Sequence, residues 1–307
     1  MDGMQAAAPD PYWTHDLDPF LLQISGSFGI RWYGLAYLAG LVIGWWLLRR
    51  WSKREYLPLN EQGPGDAVMY LGLGMILGGR LGYCLFYRPE LMITFTSKIP
   101  FWGLLAINEG GMASHGGIIG FFIGGWLFAR KYKTSIWVLG DAIATAIPVG
   151  VMCGRIANFI NGELWGRVTD VAWAVRFPAA PDLMPRHPSQ LYAVVLEGLI
   201  PFVIGLWVYG RHRRPGLNVG LVMTLYAIGR FVGEFFRQPD EIFEESGKQM
   251  GTVLGPFSMG QVLTVPVFAF GVFMLIYAWK RGPKPELYTR QASDDTSDAV
   301  NKSTAKS

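Results

Sequence analysis

The chain has 307 residues, 51% of them hydrophobic and only 16% charged, with a formal net charge of +4 and a mean hydropathy of +0.25. A soluble domain carries about a quarter charged residues, so this composition points to a polytopic membrane protein rather than two soluble domains. The basic residues fall in short clusters between apolar runs, which speaks for contact with membrane lipids and against a nucleic-acid partner.

Residues 1–27 lack Lys and Arg and carry Asp2, Asp10, Asp16 and Asp18. That is the wrong start for a cleavable signal peptide, so the first apolar segment is expected to act as an uncleaved insertion signal. Seven spanning helices are expected in 28–281. The first runs from about Phe28 to Leu48 and is followed by Arg49, Arg50, Lys53 and Arg54. The second covers about Ala67 to Tyr87, with Arg80 inside and five glycines suited to close helix packing. After a long connection, 88–112, the third begins near Ser114 and ends before Arg130, Lys131 and Lys133. The fourth runs from about Ile136 into the stretch Gly154–Gly166. A polar, Pro-rich segment, 167–188, suggests a small head region outside the membrane. The fifth covers Ser189 to Tyr209, the sixth about Leu217 to Phe236, and the seventh about Ser258 to Trp279. Each run is near the roughly 20 residues that a bilayer core requires.

Basic clusters follow the first, third, fifth and seventh runs. Positive charge is retained in the cytoplasm, so the amino terminus is expected outside and the carboxyl terminus inside. Residues 282–307, polar and rich in Ser, Asp and Lys, read as a disordered cytoplasmic tail. Cys84 and Cys153 sit in apolar segments and read as small buried hydrophobes, without a disulfide.

With this topology the unusual polar residues converge on one leaflet. Tyr33, Arg80, His115, Arg155, Asn158, Arg230 and Glu234 all fall toward the outer side. Ionisable groups at that depth are costly and usually pair or act. Arg155, Asn158, Asn161 and Glu163 lie within nine positions; the structural alternative is that Arg155 and Glu163 merely pair with each other. Tyr226, Arg230 and Glu234 are spaced by four and form one helical stripe, which also fits a self-neutralising Arg–Glu pair. His115 opens a helix, where the positive amino-terminal potential disfavours a second positive charge and leaves a neutral imidazole able to accept a proton. Asp141 and Glu197 are expected to cap or pair inside the bundle. Pro188 and Ser189 read as a helix start with a serine cap, and His15 and His212 as solvent-exposed or in basic surroundings. No metal-ligand cluster, phosphate-binding Gly-Lys loop or nucleophile elbow is present in the sequence.

These motifs resemble the bacterial prolipoprotein diacylglyceryl transferases. Gly154–Gly166 (GRIANFINGELWG) resembles that family's signature. Further matches are Arg31-Trp32-Tyr33-Gly34, Gly79–Tyr83, Gly110-Gly111-Met112, Ser114-His115-Gly116-Gly117, Arg186–Tyr192, Glu234–Asp240 and Ser258–Gln261. The resemblance spans roughly Phe28 to Lys280. Ala157 departs from a glycine found in some members, and 178–186 is shorter than the insertions of others.

The resemblance implies a seven-helix enzyme of the bacterial cytoplasmic (inner) membrane, with its active site facing outward and no known cofactor or metal. The implied reaction moves the diacylglyceryl group of phosphatidylglycerol onto the lipobox cysteine thiol of a prolipoprotein signal peptide, forms a thioether and releases glycerol phosphate. Arg155 and Arg230 are the candidates to hold the phosphate, and His115 is the candidate base. Tyr33, Asn158, Glu163, Tyr226 and Glu234 would position the headgroup or the arginines. A transporter or channel is the competing reading, because buried Arg, Glu and His also line ion paths. Its weakness is that the inner halves of the helices read as almost purely apolar.

Overall fold

A computed structural model describes residues 11–25, 28–95, 100–106, 110–238, 252–254 and 257–289. Most of the expected tail, 290–307, the start of the amino-terminal segment, 1–10, and Pro239 and Asp240 of the Glu234–Asp240 motif lie outside the described residues. The structure is mostly helical. Its long helices are α1 (Trp32–Lys53), α2 (Gly63–Phe86), α3 (Ser114–Lys131), α4 (Ile136–Ile160), α5 (Ser189–Val208), α6 (Leu217–Gly233) and α7 (Met259–Arg281). Four of them, α2, α4, α5 and α7, are long and apolar enough to cross a membrane. Phe122, Trp207, Leu263 and Trp279 stay exposed on helix faces, as suits an environment of lipid rather than water.

One expected boundary is corrected. Phe28–Arg31 is not the first turn of α1 but a strand, β3, antiparallel to β2 (Phe20–Ser25). Close backbone approach explains it, because a Cβ on Gly29 would lie 2.4 Å from the Leu22 carbonyl oxygen. The Arg31 guanidinium sits 4.5 Å over the ring of Phe20, its partner across the pair.

The described residues fall into two compact units. Among the described residues, the first draws on positions within 11–44, 144–211 and 216–281, the second on positions within 45–143, 212–215 and 282–289.

In the second unit α2 packs on α3 through glycines. Added Cβ atoms on Gly74 and Gly78 would meet the carbonyl oxygens of Gly120 and Gly116, each at 2.3 Å. The small-residue face expected from the sequence is therefore a backbone-to-backbone seam. Arg80 is buried beside it and spends its donors on four carbonyls. Nε reaches Leu104 at 2.8 Å, Nη2 reaches Gly103 at 2.6 Å, and Nη1 reaches Gly110 at 2.6 Å and Gly111 at 3.0 Å. Its observed work is to hold the connection before α3 against α2. In the same unit Tyr288, in the 3-10 turn Pro285–Tyr288, is buried with its hydroxyl 3.4 Å from Asp141 Oδ2.

In the first unit α6 packs on α7 at Gly220 and Gly271, and on α5 at Gly229. Helix α5 is interrupted by a π segment, Val194–Leu199. Such segments shift side chains out of α register and are frequent at functional sites. A small sheet, ordered β1 (Trp13–Thr14), β4 (Val175–Arg176) and β5 (Pro185–Arg186), covers a core of Val175, Phe177 and Ala180, with Phe159 and Trp165 against it. His15 belongs to this core, contrary to the exposed position expected for it. It is buried, and its Nε2 lies 2.7 Å from the Phe159 carbonyl oxygen, so the aromatic cluster holds it in place of solvent.

Candidate active site

The end of α4 and the loop after it carry the first half of the site. Helix α4 stops at Ile160, and Gly162 (φ 65°) and Leu164 (φ 57°) then turn the chain through the left-handed region. This brings Glu163 back toward the helix. Its Oε1 accepts a 2.7 Å hydrogen bond from Asn158 Nδ2, and its backbone N–H donates to the Asn158 carbonyl. The loop is clamped from outside. Gln190 Nε2 donates to the Glu163 carbonyl at 2.6 Å, and Ser189 Oγ donates to the Leu164 carbonyl at 2.9 Å. Ser189 therefore anchors the loop and makes no side-chain cap on its own helix, as had been expected of it. Gly166 is held between two backbones, and a Cβ there would lie 2.5 Å from the His187 carbonyl oxygen and 2.6 Å from that of Phe236.

Arg155 meets Glu197. Nη2 donates to Glu197 Oε2 at 2.9 Å, so the simple Arg155–Glu163 pairing does not occur. Glu197 lies on the π segment of α5 and is only 1% exposed. Its second oxygen, Oε1, lies 3.6 Å from Arg230 Nη1, while Arg230 Nη2 pairs with Glu234 Oε2 at 2.8 Å. One buried carboxylate thus stands between guanidinium groups from two different helices. Close approach of α5 and α6 makes this possible. A Cβ on Gly229 would lie 2.2 Å from the Leu196 carbonyl oxygen, so only glycine lets Glu197 come beside Arg230.

The expected Arg230–Glu234 pair is present and has further partners. Ser258 Oγ donates to Glu234 Oε1 at 3.0 Å, and a Cβ on Gly260 would lie 2.6 Å from that carboxylate. Tyr226 is half-buried in the field of Glu197, Arg230 and Arg155. Arg155, Glu197, Arg230 and Arg237 line a cleft with Leu164 and Gln190, whose free volume is about 10 Å³. Three guanidinium groups against the one carboxylate lining the cleft make a setting that favours an anion over a metal ion.

Tyr33, on the first turn of α1, receives the Tyr37 hydroxyl at 3.4 Å, with the two rings edge to face. His115 belongs to the second unit, on the first turn of α3, and is exposed.

Outside the long helices, burial pushes the His187 imidazole below its ordinary value of 6.5, and a 3.1 Å hydrogen bond links its Nδ1 to the Tyr192 hydroxyl. Burial would raise the Asp182 carboxyl, but hydrogen bonds from the Met184 N–H and from Arg186 Nη2 hold it below its usual range.

The model of the family described as prolipoprotein diacylglyceryl transferase matches residues 19–277. The chain belongs to that family. Relatives named phosphatidylglycerol–prolipoprotein diacylglyceryl transferase support the assignment. The Geobacter sulfurreducens protein is 43% identical over 270 residues, 88% of this chain and 98% of the relative. The Rhodopseudomonas palustris protein is 43% identical, over 86% of this chain and 91% of the relative. That of Legionella pneumophila is 44% identical, over 81% and 93%. Membership in a transferase family decides against the transporter or channel reading.

Two members of the cleft escaped the sequence reading. Glu197 was expected only to pair somewhere in the bundle, and Gln190 drew notice only within a motif. A lone Glu in an apolar run is a visible signal. Its partners were not visible, because the π segment breaks the spacing from which a helical face is read.

Proposed function

We propose that this chain transfers the diacylglyceryl group from phosphatidylglycerol to the lipobox cysteine thiol of prolipoprotein signal peptides. The observation that carries the reading is the pair of guanidinium groups, Arg155 and Arg230, gathered on buried Glu197 in a chain of this family. Guanidinium forks suit the phosphate ester of a lipid headgroup and the charge that grows on it as it leaves. The free volume of the cleft is about that of one water, so the phosphate enters as side chains at its mouth swing aside.

In the proposed step the cysteine thiolate attacks the glyceryl carbon that bears the phosphate ester. A C–S bond forms, the C–O bond breaks, and its electron pair leaves with glycerol phosphate. A free thiol has a pKa of about 8.5 and is mostly protonated at neutral pH. His115 takes the thiol proton, and the arginines offset the leaving charge. Asn158 and Glu163 shape the loop beside the headgroup, Glu234 and Tyr226 hold Arg230, and Tyr33 contacts the lipid. No metal or organic cofactor enters the step.

In this reading seven helices span the bacterial cytoplasmic membrane, with the amino terminus and the active site outside and the tail 282–307 in the cytoplasm. The basic ends of α1, α3 and α7 support that orientation. Purified protein incubated with phosphatidylglycerol labelled in its diacylglyceryl part and a lipobox peptide is the test. Label should appear on the peptide in a thioether; its absence from a folded, lipid-supplied preparation would end the proposal.

A further inference from the structure

Two buried oxygens in the arginine cleft receive no hydrogen bond among the described residues: Gln190 Oε1 and Glu197 Oε1. Gln190 is 2% exposed and Glu197 1% exposed, and both line the cleft with Arg155 and Arg230. The Gln190 amide has one workable orientation. Its nitrogen must face the Glu163 carbonyl, an acceptor 2.6 Å away, so the oxygen is left over. Glu197 uses Oε2 for Arg155, while Oε1 stands 3.6 Å from Arg230 Nη1, too far for a hydrogen bond. Buried acceptors without donors are costly and rare, and a ligand that brings a donor relieves that cost.

A phosphate diester has only acceptors to offer, and the arginines take those. The remainder of the phosphatidylglycerol headgroup is a glycerol carrying two free hydroxyls, which are donors. An ammonium headgroup also brings donors, but it would sit among Arg155, Arg230 and Arg237 and be repelled.

We propose that Gln190 Oε1 and Glu197 Oε1 form the subsite that reads the glycerol hydroxyls of the lipid headgroup, and that these two residues set the preference for phosphatidylglycerol. The inference rests on the transferase reading above and adds to it which residues select the donor lipid. A site built to bind a hydroxyl strongly rejects the analogue that lacks it, because its own polar groups are then stranded.

The test compares kcat/KM for phosphatidylglycerol with that for phosphatidylpropanol of the same acyl chains, using purified full-length enzyme and a lipobox peptide. The second lipid keeps the phosphate diester and the three carbons but has no headgroup hydroxyl. The native enzyme should favour phosphatidylglycerol by about 100-fold or more. Gln190→Met removes the acceptor at similar length and should lower that ratio about tenfold. Should Gln190→Met fail to fold, Glu197→Gln keeps the side-chain shape and is expected to lower the same ratio. A native enzyme that uses both lipids equally overturns the subsite and leaves the transferase reading standing. Parallel losses on both lipids, with the ratio intact, also overturn it, because a purely structural role moves both rates together. Transfer from neither lipid would fell the transferase reading, and the subsite with it.

Discussion

Arg155 Nη2 and Glu197 Oε2 meet at 2.9 Å although 42 residues separate them in the chain. One comes from the last turns of α4 and the other from the π segment of α5. Breaking a buried pair by removing one partner leaves an uncompensated charge and costs about 3–5 kcal/mol. Glu197→Ala should therefore lower the thermal midpoint in detergent by several degrees. A midpoint unchanged from the native protein would show that the pair contributes nothing.

Arg155→Lys keeps the charge and loses the planar fork. If bidentate phosphate binding is what Arg155 supplies, kcat/KM should fall about 10²-fold in the transfer assay. Near-native activity would mean that a point charge suffices.

His115→Gln addresses the proton. A general base contributes about 10²–10⁴ in rate and imposes its own pKa on the profile. The variant should lose that factor and the acid limb of the pH–rate curve. Equal rates for variant and native enzyme from about pH 6 to pH 9 would remove His115 from the role of base.

Gly260 leaves room for the Glu234 carboxylate, and a Cβ there would intrude to 2.6 Å. Gly260→Ala should push Glu234 off Arg230 and Ser258 and misplace the guanidinium. Misplacement of about 1 Å can cost roughly 10²-fold in rate, so activity should drop far more than the thermal midpoint does. An active variant would show that Glu234 has another place to go.

His187 gives the fold a pH dependence of definite sign. Burial holds its pKa in the folded state below the ordinary 6.5, so the unfolded chain takes up the proton first. Its contribution to stability is complete above pH 6.5 and is lost as pH falls through the folded-state pKa. The thermal midpoint of the native protein should drop between about pH 7.5 and pH 5, and that of His187→Asn should drop less. Identical drops would assign the dependence to other groups.

The amino-acid sequence by itself determined where the apolar runs lie, that the glycines of the second run suit close helix packing, that Arg230 and Glu234 share a helical face, and, through its motifs, the family. These are properties of spacing and composition along one segment, and local periodicity carries them. Only the tertiary structure decided the partners. Glu163 turned to Asn158, because left-handed residues at 162 and 164 fold the loop back on α4. Arg155 went to Glu197, because Gly198 on the π segment lets α5 lie close against Pro148 and Met152 of α4, and the bare backbone of Gly229 brought Arg230 beside the same carboxylate. His15 was drawn into an aromatic core, and Phe28–Arg31 into a hairpin. Each of these joins residues through backbone geometry and close packing between separate segments, and no periodicity within one segment encodes such a contact.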